Sequence, residues 1–273
     1  MQRRHDFDRA IIESNLASND ERIADYLEKI QGGSHRLLRV LPRLADASLC
    51  SAAALGMETE RQLRYLDLYI DASRAAHRMS LAVGAPITIE LGGRRFEVVP
   101  ADHDYSVSEQ SWLAGYFAAR ARRNASAIQA FCELDLDLIS QKSTTTGGAY
   151  SLHLAKFFQR LLVRGEPHGK NLLAVAVEIT PERMPDATYD YALHVDAPLV
   201  DLMTPLLLGD SADFNAMLAD ALALHARYWT REPRNLTEGF VSVAITALAV
   251  TAIDQGLVVE QRSEYLLSCL LEG

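Results

Sequence analysis

Residues 209–229 read GDSADFNAMLADALALHARYW, and their apolar positions follow one stripe of a helix. The stripe consists of Phe214, Met217, Leu218, Ala221, Leu222, His225, Tyr228 and Trp229. This spacing is typical of an amphipathic helix that packs one face on a core. The uncharged segment from Gly239 to Ile253 is too short to span a bilayer. We predict that it forms a helix buried on all sides.

Further helices are predicted earlier in the chain, each beginning at a capping box. In this motif a Ser or Thr precedes the helix, and a Glu or Gln follows it three residues later. The two side chains satisfy the free N–H groups at the start of the helix. The pairs are Ser18 with Glu21, Thr59 with Gln62, and Ser106 with Glu109. A later helix is marked by Leu154, Phe157, Phe158, Leu161 and Leu162. Glycines predict where three of these helices end: Gly32-Gly33, Gly84 and Gly165.

Residues 86–99 break the helical pattern. Ile87–Leu91 and Arg95–Val98 alternate apolar and polar side chains around Gly92-Gly93, which is the chemistry of a tight hairpin turn. We therefore predict a mainly α protein, an antiparallel helical bundle or array with one embedded β-hairpin at about 86–99. Residues 1–273 are expected to form a single domain, divided near 140–150 if it has two helical layers. Segment 181–198 is predicted to be a long irregular acidic loop.

The composition indicates an ordinary globular protein with an acidic surface. The net charge of −9 disfavours direct binding of nucleic acid and suits a basic partner. The three cysteines, Cys50, Cys132 and Cys269, form no CxxC pair, and they are typical of reduced thiols in a cytosolic protein. The N-terminus lacks the apolar run of a secretory signal. We expect a cytoplasmic location and no membrane partner.

Several constellations could carry chemistry, and each has a structural interpretation that we favour. Asp102-His103-Asp104 resembles a metal site, but no HxxxH or HExxH pattern completes it. Asp135 and Asp137 could share acid and base roles, or they could belong to a short strand or a capped turn. His225 beside Tyr228 and Trp229 could form a catalytic pocket, or it could be a hydrogen-bonded core histidine. We predict no metal and no cofactor.

A set of motif residues in the C-terminal half resembles the immunity protein 49 family of bacterial polymorphic toxin systems. They are Gly209, Asp210, Phe214, His225, Tyr228, Trp229, Asp254, Gly256, Ser263, Tyr265 and Leu266. The resemblance is strongest over 199–271 and moderate over 67–131, where Trp112 corresponds to an earlier family tryptophan. One departure is Leu267, where the family pattern leads us to expect proline. The resemblance implies that these positions are structural and that the protein blocks a toxin without cofactor or turnover.

The resemblance also implies a partner, a cognate toxin domain bound one to one. Nucleases and deaminases are the expected classes, because they present basic grooves to an acidic protein. The predicted contact surface is acidic and aromatic: Asp186, Tyr189, Asp190, Tyr191 and Asp196, with Asp102 and Asp104 as a second patch. Two alternatives remain. One is a helical enzyme with a site near His225 or Asp135 and Asp137, and the other is a helical peptide-binding scaffold.

Overall fold

The fold was obtained as a computed structural model. It describes residues 4–82, 84–100, 107–143, 149–164, 175, 177–180, 182–184, 186–231 and 237–272, with residues 161–164 and 186–187 described by backbone alone. The fold is mainly helical, as predicted. The α-helices in this part of the chain are α1 (Arg9–Gln31), α2 (Leu41–Ala54), α3 (Thr59–Leu81), α4 (Glu109–Ala121), α5 (Ala125–Cys132), α6 (Leu136–Lys142), α7 (Ala149–Arg164), α8 (Asp186–Tyr191), α9 (Ala197–Asp201), α10 (Met203–Leu208), α11 (Ser211–Trp229) and α12 (Val243–Asp254).

Shorter helical segments connect these elements. The 3₁₀ turns span His35–Arg39, Thr237–Gly239 and Ser268–Leu270. Ala192–Asp196 forms a π-helix, called the π segment below. It joins α8 to α9, so the chain is helical from Asp186 to Asp201.

All three predicted capping residues are wrong. Thr59 is the first residue of α3, and Glu58 before it forms no side-chain cap. The carboxylate of Asp8 accepts hydrogen bonds from the backbone N–H groups of Ala10 and Ile11, so α1 begins at Arg9. Ser18 therefore lies inside the helix, because no breaker separates it from Asp8. At α4 the capping box is formed by Ser108 and Ser111, and not by Ser106. A cap requires extended backbone before the helix, and a Ser-to-Glu spacing alone does not establish that conformation.

The core is centred on α4 and α12, which pack against each other. Trp112 on α4 is 0% exposed. Its ring stacks on Tyr116 at 5.0 Å, and its indole Nε1 donates to the carbonyl of Phe131 at 2.9 Å. The prediction of a buried uncharged helix is confirmed for α12. The stretch Thr237–Asp254 is apolar enough to cross a membrane by length and composition alone, but 67% of it is buried within the protein, as in an ordinary core helix.

The predicted β-hairpin is confirmed. Strand β1 (Ile87–Leu91) pairs antiparallel with β2 (Arg94–Val98), with Ile89 opposite Phe96. Gly92 and Gly93 have φ angles of 56° and 74°, which the tight turn requires. The inward side chains of the alternating strands join the core, and β1 packs against α3.

The prediction of an irregular acidic loop over 181–198 is wrong for its second half. Residues 186–201 form α8, the π segment and α9, while Pro181 and Pro185 lie outside the described residues. Pro198 is accommodated because it occupies the first turn of α9, where a missing N–H costs little. The N–H of Ala197 bonds to the carbonyl of Ala192, five residues back, which produces the π register.

Candidate functional site

An acidic cavity of about 250 Å³ lies where α2, α4, α11 and the π segment meet. Its ionisable lining residues come from elements far apart in the chain: Asp46, Tyr69, Tyr191, Asp196, His225 and Glu238. Glu238 and Trp229 are partly exposed, so the cavity reaches the surface beside them. We call this feature the acidic cavity.

Asp196 is a buried carboxylate with neutral partners. It lies in the π segment and is 3% exposed. Its Oδ2 accepts hydrogen bonds from the Tyr150 hydroxyl at 2.9 Å and from the Gln110 amide at 3.0 Å. Burial raises the pKa of Asp196 to about 6, and the two hydrogen bonds offset only part of that effect. The charged form is therefore costly in the free protein.

Asp46 is less compensated still. It lies on α2, and within the described part of the chain no donor bonds its carboxylate. Burial raises the pKa of Asp46 to about 7, and the neighbouring charge of Glu238 acts in the same direction. The opposing charge is Arg43, whose guanidinium lies 3.5 Å from Glu238 and is 79% exposed. Because Arg43 is exposed and pairs with Glu238, it offsets the charge of Asp46 only weakly.

His225 is a neutral core histidine at the edge of the cavity. It is 3% exposed, and burial lowers its pKa to about 4. Its Nε2 lies 3.0 Å from the carbonyl oxygen of Gly239. A carbonyl only accepts, so the neutral ring donates from Nε2 and Nδ1 is an acceptor. That Nδ1 has no hydrogen-bond partner among the described residues.

The predicted contact residues have different locations. Tyr191 and Asp196 line the acidic cavity, and the burial of Asp196 shows that it is not a surface residue as predicted. Tyr189 and Asp190 are partly exposed. Asp190 lies 2.7 Å from the guanidinium of Arg231 and 3.1 Å from the ring of His194.

Three members of the predicted contact surface lie wholly or partly outside the described residues. The backbone of Asp186 begins α8, and its side chain lies outside them. Asp102 and Asp104 lie outside them entirely.

The alternative acid–base pair forms a capped turn. Asp135 caps α6 by accepting from the N–H groups of Asp137 and Leu138, both at 3.0 Å. Asp137 pairs with Lys156 at 2.6 Å, and its side chain is 61% exposed. Over the residues described, no three His, Cys, Asp or Glu side chains form a group that could hold a metal ion.

The family-motif residues lie in the core or at helix ends. Six are aromatic or imidazole side chains in the core or partly buried beside it: Trp112, Phe214, His225, Tyr228, Trp229 and Tyr265. Asp210 caps α11, and Gly256 has a φ of 87° after α12. Asp254 pairs with Arg123 at 2.8 Å. Each of these placements gives the residue a contact or a conformation within the fold itself.

A larger groove of about 1030 Å³ lies between α1 and α3, beside the hairpin turn. Two of its four acids are paired with arginines. Asp20 lies 2.6 Å from Arg61, and Asp67 lies 2.9 Å from Arg122. Asp71 accepts a hydrogen bond from the N–H of Gly92 at 3.2 Å, and Glu60 is exposed.

Sequence analysis missed Asp46 and Glu238 as members of the cavity. Asp46 is the single acid within the fourteen-residue helix α2, which is otherwise largely apolar. A lone acid in such a helix is a usable signal for a buried carboxylate. The sequence carries no comparable signal for Glu238, because its position depends on how the 3₁₀ turn packs on α2.

The raised pKa of Asp196 predicts a pH-dependent effect of Asp196→Asn. The folded pKa of about 6 exceeds the ordinary value of 3.8, so the folded state binds the proton more tightly and loses stability as pH rises through this window. Asparagine removes that cost. We expect a gain of about 1–2 kcal/mol at pH 8 and almost none at pH 4. Urea unfolding at both pH values measures it, and an equal effect at both would contradict the assignment.

The cap at Asp210 predicts a structural role for that motif residue. Its carboxylate accepts from the N–H groups of Ala212 and Asp213, both at 3.0 Å. Asp210→Ala is expected to cost about 1 kcal/mol of unfolding free energy, whereas Asp210→Ser retains most of the cap. Thermal unfolding of both variants provides the comparison. Equal melting temperatures for the two would show that the cap does not stabilise α11.

Comparison with known proteins gives one match. A family model described as immunity protein 49 matches residues 42–266. Neither the search of curated proteins nor that of solved structures finds a match. The matched range includes α2, α4, α11 and α12, and so it contains every ionisable residue of the acidic cavity.

Proposed function

The chain belongs to the immunity protein 49 family, and from that membership we propose that it binds and neutralises a cognate secreted toxin domain. The match over residues 42–266 is the observation that carries the proposal. Neutralisation occurs in the cytoplasm of the cell that makes the protein. It works through a one-to-one complex that covers the active site or substrate groove of the toxin.

Charge supports a basic partner. The protein carries a net charge of −9, and opposite fields accelerate the encounter of two proteins. Domains that act on nucleic acids expose basic grooves, because their substrates are polyanions. A nuclease or deaminase domain is therefore the toxin class that we propose.

The proposed contact surface is the helical segment that begins at α8. Tyr189 and Asp190 are partly exposed there, and Tyr191 and Asp196 of the same segment line the acidic cavity. Tyrosine supplies a rigid apolar anchor at protein interfaces, and a neighbouring carboxylate pairs with arginine or lysine. One short stretch thus offers both kinds of contact beside the acidic cavity.

Co-expression with a secreted nuclease or deaminase toxin domain from the same bacterium tests the proposal. The wild-type chain should restore growth of a toxin-sensitive strain. Tyr189→Ala should weaken the complex by at least about tenfold, as expected for an interface anchor. Asp220→Asn is the control, because Asp220 is an exposed acid on α11. Failure of the wild type to protect would refute the function, whereas protection with an unaffected Tyr189→Ala would refute only the contact surface.

An acid–base enzyme is the second candidate. Asp46 and Asp196 line one cavity, and burial raises the pKa of both toward neutrality, as in many acid–base sites. Such an enzyme would modify the toxin and not simply cover it. The intact mass of the toxin after incubation and separation distinguishes the two. An unchanged mass with recovered toxicity supports inhibition, and a permanent mass change supports the enzyme.

A further inference from the structure

We propose that the acidic cavity receives an arginine side chain of the bound toxin. This inference rests on the proposed function and extends it, because it assigns a binding site and the chemical class of its ligand. No lysine or arginine is among the described residues that line the cavity, and a toxin arginine would supply a cation inside it.

The charge of the lining is the first argument. Asp46, Asp196 and Glu238 line the cavity, and the exposed Arg43 is the cation that pairs with Glu238 and opposes the charge of Asp46. Asp196 has the neutral donors Tyr150 and Gln110. A buried carboxylate without a cation is costly, and a bound guanidinium would remove that cost.

The hydrogen-bonding capacity of the lining is the second argument. His225, which is 3% exposed, borders the cavity, and its Nδ1 is an acceptor without a partner in the described part of the chain. The carboxylate of Asp46 also accepts and receives no hydrogen bond there. These two acceptors can each receive a hydrogen bond from a donor-rich ligand, while the indole Nε1 of Trp229 in the same lining is a donor without a partner among the described residues. A guanidinium has five N–H donors and no acceptor.

Size and shape are the third argument. The volume of about 250 Å³ equals about eight water molecules at roughly 30 Å³ each. It therefore accommodates a guanidinium with its neighbouring methylene groups. The lining also contains the aromatic rings of Tyr69, Tyr191 and Trp229. Arginine is favoured over lysine, because the guanidinium is planar, weakly hydrated and stacks on aromatic rings.

Asp46 lines two neighbouring cavities, so a ligand could reach its carboxylate from either of them. A second cavity of about 310 Å³ shares Asp46 and Tyr69 with the acidic cavity, and Arg39 and Arg43 also line it. Asp46 and Tyr69 therefore stand between the two spaces. Asp46 is the carboxylate reached from either side, and it is the first residue to test.

The direct test uses propylguanidinium, which carries the cationic group of arginine, and propylurea as its neutral match. We expect saturable binding of propylguanidinium to the full chain with a Kd of about 1 mM. The indole N–H signal of Trp229, which lines the cavity, should shift in NMR spectra, while that of Trp112 should not. Equal binding of propylurea, or no saturable shift at Trp229, would overturn the inference.

A matched pair of variants completes the test. Asp46→Asn should weaken propylguanidinium binding by at least about tenfold, as for the loss of a charge pair at an interface. Asp46 is partly exposed and receives no hydrogen bond among the described residues, so the variant should still fold. Asp220→Asn removes an exposed charge and should bind as the wild type does. Unchanged binding by Asp46→Asn would overturn the inference.

The toxin complex separates this inference from the proposed function. If the wild type protects cells and Asp46→Asn lowers toxin affinity about tenfold or more, the inference is supported. If both protect with equal affinity, the inference fails and the function stands. If the wild type gives no protection, the function fails, and the inference that depends on it fails as well.

Discussion

Trp112→Ala is expected to lower the free energy of unfolding by about 3–5 kcal/mol. The indole is 0% exposed and stacks on Tyr116. Its removal leaves a cavity at the centre of α4, where α12 also packs. It also deprives the carbonyl of Phe131 of the hydrogen bond from Nε1.

Urea unfolding measures this effect. The urea concentration at the midpoint should fall, while the dependence of the unfolding free energy on urea concentration stays the same. Trp112→Phe is a milder companion that keeps a ring and loses the hydrogen bond, so it remains informative if the alanine variant does not fold. Trp229→Ala serves as the control, because Trp229 is partly exposed and should cost clearly less. Equal losses for Trp112→Ala and Trp229→Ala would contradict the placement of α4 at the centre of the core.

Gly115→Val is expected to destabilise the protein by about 3 kcal/mol, at the upper end for overpacking. A Cβ at Gly115 would lie 2.5 Å from Cζ of Phe131 and 3.0 Å from Cβ of Ser73. Phe131 is 0% exposed and is held edge-on by Trp112 and His77, so its ring cannot move away freely. This steric cost exceeds the gain in helix propensity of less than about 1 kcal/mol.

A double-mutant cycle isolates that contact. Phe131→Leu shortens the side chain that the new valine would meet. The cost of Gly115→Val should therefore be smaller in the Phe131→Leu background than in the wild type. Equal costs in both backgrounds would show that the close contact between α4 and α5 does not determine the effect.

The sequence was most informative where a local pattern and the tertiary environment agree. The stripe of Phe214, Leu218, Leu222 and His225 predicted α11 because those same positions face the core. The Gly92-Gly93 turn predicted the hairpin because few residues other than glycine adopt two successive positive φ angles. In both cases the residues within the element itself determine its secondary structure.

The errors arose where the outcome depends on distant contacts. Prolines and aspartates over 181–198 indicated a loop, yet Pro198 sits in the first turn of α9 and the π register precedes it. Asp196 was predicted to be on the surface because acids usually are, but Tyr150 and Gln110 bind it in the interior. The acidic cavity itself draws on α2, α4 and α11, and no pattern along the chain reveals that they meet.

Native mass spectrometry of the chain co-expressed with its cognate toxin domain is the decisive measurement for the proposed inhibition. We expect a single dominant species with the summed mass of one chain and one toxin domain, and we expect that complex to lack toxin activity. Free toxin and free chain, with toxin activity unchanged by the presence of the chain, would contradict it.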